Sequence, residues 1–392
     1  MKIKILAALL SITFLTQCTY TKDKVAKRTW QSKMDQFSAI LTDLFPLLVS
    51  DDKFRDPVNK DRIQSHVKTL NTLAHSLNDK DDAASVLIAT SNDPSMRYLS
   101  QLLKHELDSA LDGLELGKSD YSRVVLKNIT GICIECHTRG KWGKSFQKDL
   151  ANSWQFKGLD TFDKAQLYTA TRQYENALTI YEGIFNNFSK NKGFHFRWEK
   201  AAKMVLNLSV RIKQDPDLGL KTVNKILKHP NAALFLKNNA RQWKRDLLSW
   251  KREKPLTSES AKFKFAKKLI KRAQLNQNYW GDSTTYVLYL RASGILHDLL
   301  NSSTVKKAKK AESLYLLGQA YEALSAHSYS KLNEYYYKSC ITYQPHSAQA
   351  VKCYQRYEVS VFLGYSGSGG FAAPPSSMQH LRYLKDLAMP KM

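Results

Sequence analysis

The chain has 392 residues, a length that suggests two domains or one domain plus a solenoid, and 60 Lys and Arg against 35 Asp and Glu give it a net charge of +25. The excess is uneven: the counts are 22 basic to 18 acidic through Leu150 and 38 to 17 afterwards. Beyond the first residues no stretch reaches the roughly 20 uninterrupted apolar residues of a spanning helix, and no GxSxG, HExxH, P-loop or dinucleotide fingerprint appears, so the expectation is neither a multispan membrane protein nor a catalytic enzyme.

The opening MKIKILAALLSITFLTQC places Lys2 and Lys4 ahead of an apolar run from Ile5 to Leu15. That pattern is an export signal over residues 1–18, too short for a stable spanning helix, and it directs the chain to a periplasm or cell envelope where thiols oxidise. Leu15, Thr16, Gln17 and Cys18 resemble a bacterial lipobox, which makes Cys18 the lipidation candidate; Gln17 stands where a small residue is expected, and simple cleavage nearby is the alternative. Residues 19–27 read as a polar tether.

Four helices follow within 28–145. The first carries Trp30, Met34, Phe37, Leu41, Leu44 and Leu48 at three- and four-residue intervals. Asp56-Pro57 opens the second, through Ile63, Val67, Leu70, Leu73 and Leu77, and Asp93-Pro94 opens the third, from Met96 to Leu114. Ser119 caps a fourth, through Tyr121, Val124, Val125, Ile129 and Ile132. Short links between helices of this length predict an all-α four-helix bundle.

The fourth helix ends in Cys133-Ile134-Glu135-Cys136-His137, the CxxCH pattern. Covalent haem attachment needs two thiols at the spacing of the porphyrin vinyls and an imidazole beside them for the iron, so one haem c held through two thioethers is expected, with His137 as proximal ligand. Zinc would need two further ligands that no second paired motif supplies, and a thioredoxin-like redox pair would need a βαβ context. A single CxxCH also excludes a di-haem or multihaem chain.

A CxxCH at the end of a fourth helix, together with the LFPLL segment, resembles the cytochrome c-prime family, low-spin members included, over about Lys27 to Lys144. Thr138, Arg139 and Gly140 follow the motif where that family often has an aromatic and a basic residue. The resemblance implies a distal residue twelve positions before a proline, which is Met34 before Pro46; in low-spin members that methionine binds iron. Met34 as core filling is the alternative, and His66, His75 and His105 compete as ligands from the same bundle.

Beyond Trp154 the pattern changes to helical hairpins over 155–363. Lys164 to Phe185, with Ala165, Tyr168, Tyr174, Ala177 and Tyr181, resembles a tetratricopeptide repeat, as does LYLLGQAYEAL with Leu314, Leu317, Gly318 and Tyr321. The second match has about three extra residues in its turn, around Ser325 to Ser330. Helices near Ala201 to Arg211, Leu218 to Lys228, Ala232 to Trp250, Ser260 to Leu275 and Thr284 to Leu300 lie between, so an irregular tetratricopeptide-like α-solenoid is expected. Cys340 and Cys353 fall on adjacent helices and are a candidate disulfide. Residues 364–377 read as a flexible linker and 378–392 as a short basic helix.

Lys203 to Lys310 carries 24 basic and 7 acidic side chains. Outside the cytoplasm such a surface suits an acidic redox or assembly partner docked by the repeats, or an anionic membrane surface, and no nucleic acid. One-electron transfer is the expected function. The alternatives are a gas-binding or sensing haem protein signalling through the repeats, and an envelope scaffold with ancillary haem.

Overall fold

The computed structural model describes residues 2–140, 145–146, 156, 158–186, 195–279, 281–302, 305–324 and 330–390, the side chains of 2–24, 90 and 195 excepted. Among them the chain is all-α apart from one hairpin of two two-residue strands. Compactness divides it into two units: Met1–Ser91, Leu99–Ile132 and Ser145–Leu159 form the first, and Asn92–Tyr98, Cys133–Lys144 and Asp160–Met392 the second. The sequence boundary expected between 145 and 155 does not coincide with this division, because the last turn of the fourth long helix packs with later helices.

The first unit contains α1 (Lys2–Val49), α2 (Asp51–Arg55), α3 (Pro57–Asn78) and α4 (Ser85–Thr90), and takes α5 (Ser95–Glu115) from Leu99 onward and α6 (Ser119–His137) as far as Ile132. Residues 19–27, expected as a tether, are helical within α1; they contain no glycine or proline to break it. The Cys18 side chain lies outside the described residues, and among those described no helix is long and apolar enough to cross a membrane. Asp56 caps α3, its carboxylate accepting from Val58 N at 3.0 Å with Pro57 at the first helical position, a pairing that satisfies one orphan N–H and omits another. The core joins Leu41, Leu44 and Leu48 to Val67, Leu70, Leu99, Leu107, Leu126 and Ile129. Tyr121 and Val124, expected on the apolar face of α6, are exposed. Arg123 ties α6 down, donating from Nε to Leu48 O (2.9 Å) and from Nη1 to Asp51 (2.6 Å), which satisfies a carbonyl at the end of α1.

In the second unit each helix packs chiefly on its neighbour in sequence: α7 (Thr161–Ala170) on α8 (Tyr174–Ile184), α10 (Pro216–Lys228) on α11 (Leu234–Lys251), α12 (Glu259–Asn276) on α13 (Tyr286–Asn301), and α14 (Lys307–Leu324) on α15 (Leu332–Tyr343). Between the first two pairs, α9 (His195–Asn207) runs into a π-helical segment, Leu208–Lys213, which ends at Gln214 in the left-handed region (φ 54°). Asp160, Asp215, Ser258 and Ser347 cap α7, α10, α12 and α16 (Ala348–Tyr365) through side-chain acceptors, so helix starts recur wherever Asp or Ser precedes an apolar-periodic run. Residues 325–329, the expected turn insertion, lie outside the described residues.

Cys340 and Cys353 form a disulfide, Cα to Cα 6.3 Å, between α15 and α16. The segment expected as a flexible linker folds back instead: Ser366–Gly367 pairs with Gly370–Phe371, Gly370 supplies φ +94°, and Phe371 meets Phe362 at 4.6 Å between ring centroids. The last helix, α17 (Pro375–Ala388), therefore begins at Pro375 rather than at 378. It docks through buried Leu381, Leu384 and Ala388 and through His346, whose backbone N–H donates to Leu387 O at 2.9 Å.

Gly318 lets α14 and α15 approach. A Cβ there would lie 2.3 Å from Tyr337 Cε1, and Tyr337 cannot yield because it is fully buried and its hydroxyl donates to Glu322 Oε1 at 2.6 Å. Gly318→Ala should lower stability by about 1–3 kcal/mol, the usual cost of overpacking, read as a fall in denaturation midpoint with unchanged m-value.

Candidate functional site

The CxxCH motif occupies the last turn of α6. Cys133, Cys136 and His137 stand at i, i+3 and i+4 and so share one helix face. All three retain partial solvent exposure although protein packs densely around them. The Cys133 and Cys136 thiols are not joined to each other, while Cys340 and Cys353 are. Burial, helped by Cys136, pushes the Cys133 thiol up to about 12, the reverse of the depression a nucleophilic thiolate requires.

The end of α7 fixes the histidine. Ala170 is the last helical residue of α7, so its carbonyl is among those without an intrahelical donor, and it accepts from His137 Nδ1 at 2.7 Å. A ring whose Nδ1 carries the proton presents the Nε2 lone pair, the tautomer a metal-binding imidazole needs. Tyr174, opening α8, returns a bond from its hydroxyl to the His137 carbonyl at 2.8 Å. Arg172 adopts φ 60° in the three-residue turn between these partners. Burial first, then the positive charge of Arg172, lowers the imidazole to about 3 against the pull of the Ala170 carbonyl, so the ring is neutral at physiological pH. Thr138 continues the lock, accepting from Asn207 Nδ2 at 2.9 Å.

Next to the motif lies a buried charge cluster that sequence reading missed. Asp93 accepts at Oδ1 from Ser95 N (3.0 Å), Ser95 Oγ (2.5 Å) and Tyr336 Oη (3.1 Å). Its Oδ2 accepts from His297 Nδ1 at 2.7 Å and lies 3.7 Å from Arg139 Nη1. His297 Nε2 in turn accepts from Tyr321 Oη at 2.9 Å. Burial alone raises the Asp93 carboxyl, but His297, Arg139 and Ser95 outweigh it and hold it well below 3.8. Burial lowers His297 against the attraction of Asp93, and Arg139 and Arg211 add to the lowering. Asp93-Pro94 was legible as a helix cap; its longer-range partners, His297 and Tyr336, had no local signal.

Arg139 also donates from Nη2 to Met96 Sδ at 2.9 Å and to Cys136 Sγ at 3.6 Å. Met96 thus belongs to the surroundings of the motif, where sequence reading had it only as a helix-core position. Met34 is 8% exposed on α1, in the first unit, whereas the CxxCH residues belong to the second. The competing histidines are engaged or remote from any core: His66 hydrogen-bonds Asp43 and His75 hydrogen-bonds Asp108, each at 2.6 Å, and His105 is exposed. Among the described residues no three His, Cys, Asp or Glu side chains converge on a metal-sized site. A haem brings its own iron and asks of the protein only thiols and axial ligands.

Asp93→Asn should destabilise the fold by about 3 kcal/mol or more, because Arg139 then loses its buried counter-charge. The native carboxyl lies below its unfolded value, so the difference between wild type and variant should be full above pH 3.8 and shrink as pH falls below it; urea midpoints across pH 2.5–7, roughly the linkage window, measure this. Compared with protein families, with curated proteins and with solved structures, the chain matches none of them.

Proposed function

We propose that the protein is an exported mono-haem c-type cytochrome that transfers single electrons in a periplasm or cell envelope, with its basic helical region docking a partner. One observation carries the reading: the histidine of the CxxCH motif donates its Nδ1 proton to the Ala170 carbonyl at 2.7 Å, which leaves the unprotonated Nε2 as the nitrogen a metal would take. The unbridged Cys133 and Cys136 thiols are the thioether donors. Haem held there supplies reversible one-electron exchange at iron. The Cys340–Cys353 disulfide supports an oxidising compartment, and Cys18 is the residue that would anchor the chain to a membrane by lipid.

In this reading α1, α3, α5 and α6 are a four-helix haem bundle, and α7 to α16 an irregular α-solenoid resembling tetratricopeptide repeats. Complete burial of Ala165, Ala177 and Tyr181, where small residues let two helices close on a tyrosine, supports the repeat assignment. The proposed partner is an acidic redox or assembly protein, attracted by the net charge. Met34 is the proposed sixth ligand; Met96 is the second thioether to test, since its sulfur shares the Arg139 Nη2 nitrogen with Cys136 Sγ.

Exported, purified protein should carry haem that survives denaturing electrophoresis, and Cys133→Ser with Cys136→Ser should remove it. A chain without covalent haem would sink the reading. The reduced spectrum should be six-coordinate, low-spin and indifferent to CO, and Met34→Ala should make it CO-sensitive. The same change in Met96→Ala instead moves the ligand to Met96, and a wild-type spectrum that is high-spin and shifts with CO moves the function to gas binding or sensing.

A further inference from the structure

The second unit holds a cavity of about 430 Å³ behind the motif, bounded by the residues after α6, the π-helical segment, the end of α11, α12 and α13. Its volume falls in the range of small-molecule sites. Five basic side chains and two acidic ones line it. One cation is already neutralised: Arg291 donates from Nη1 and Nη2 to the two oxygens of Glu253, at 3.1 and 2.5 Å, and stacks 5.0 Å over Trp250. The other acid, Asp298, is raised by burial against the attraction of Lys262.

Two further guanidinium groups reach the cavity differently. Arg139 is 0% exposed and Arg211 6%, yet Arg139 Nε and Nη1 and Arg211 Nε have no hydrogen-bond partner among the described residues. Arg211 is otherwise anchored, Nη2 donating to Ser293 Oγ at 2.5 Å and to Tyr321 Oη at 3.4 Å. It stands on the π-helical segment Leu208–Lys213, the kind of helix irregularity that often marks functional sites. Arg139 Nη1 is already turned to Asp93 Oδ2 at 3.7 Å, which leaves Arg139 Nε and Arg211 Nε as the unmet charged donors. A buried charged donor left unmet costs more than a neutral one, and since both side chains line the one cavity, an acceptor there is called for. A planar carboxylate matches the fork of a guanidinium, and the remaining wall, with Val210, Phe265, Leu290 and Ile295, suits an apolar carbon body.

We propose that this cavity is a carboxylate-binding site, with Arg139 and Arg211 as its recognition residues. The carboxylate has two sources: a free small organic acid, or a propionate of the covalently attached haem, and only the second rests on the haem reading. The probe is benzoate, with benzamide as its uncharged isostere, titrated by calorimetry into the full-length chain as isolated and into the Cys133→Ser/Cys136→Ser chain, both checked for helicity. Benzoate binding to both chains identifies a free acid. Binding only to the cysteine variant, together with a lower reduction potential in haem-bearing Arg211→Gln protein, identifies the propionate, since removing a positive charge favours ferric iron. In either case Arg211→Gln should weaken benzoate about tenfold or more, and benzamide should not compete. Arg139→Gln should do the same; if loss of its pairing with Asp93 prevents folding, Arg211→Gln carries the test alone. No benzoate binding to either chain, with a potential unmoved by Arg211→Gln, overturns the proposal, as does benzoate binding that Arg211→Gln leaves unchanged. Absence of haem from the isolated protein defeats the haem reading only, and the calorimetry still decides the site.

Discussion

The last turn of α6 is held by a reciprocal exchange with the α7–α8 hairpin. His137 gives its ring proton to Ala170, and Tyr174 gives its hydroxyl proton to His137. Each carbonyl comes from the end of a helix, where the backbone cannot satisfy it. The two bonds therefore serve structure and chemistry together: they terminate two helices without orphaned acceptors, and they select one tautomer and one orientation of the imidazole. The three-residue turn between Ala170 and Tyr174 sets the spacing of the two contacts, with Arg172 in a left-handed conformation that only a few per cent of non-glycine residues adopt.

Behind that turn the molecule concentrates charge where burial makes charge expensive. Asp93 caps α5 and at the same time answers His297 from α13, Tyr336 from α15 and Arg139 from beyond α6. Such a cluster adds little net stability compared with a well-packed apolar core of the same volume. It does fix register, because every member is worse off in any other arrangement. The same argument applies to Arg272, which reaches the fully buried Asp246 at 2.6 Å, and to Arg291 on Glu253. Arg139 stands at the junction, facing the thiol side of the motif, the Asp93 cluster and the cavity, so the proposed haem site and the proposed carboxylate site share one side chain. The cationic surplus of this unit is thus partly consumed inside it, and the remainder is the long-range field that the docking proposal uses.

What the sequence by itself determined is local. Apolar spacing and Asp-Pro and Ser caps located most of the long helices, because caps and periodicity act over one or two turns, but they set the start of α1 near residue 28 instead of Lys2 and gave no sign of the short α2 and α4. CxxCH was legible for the same reason: Cys133, Cys136 and His137 are within five positions, and one helix face brings them together whatever the rest of the chain does. The glycine-rich run after Tyr365 misled, since its hairpin depends on Phe371 finding Phe362, a contact that composition does not reveal. The tertiary structure alone decided which carbonyl orders His137, that Asp93 is a cluster centre as well as a cap, and that Arg139 and Arg211 line one cavity. Those pairings span from 33 residues, for His137 and Ala170, to 243, for Asp93 and Tyr336. Contacts at such separations are set by how helix faces pack, and a short window of sequence carries no term for them.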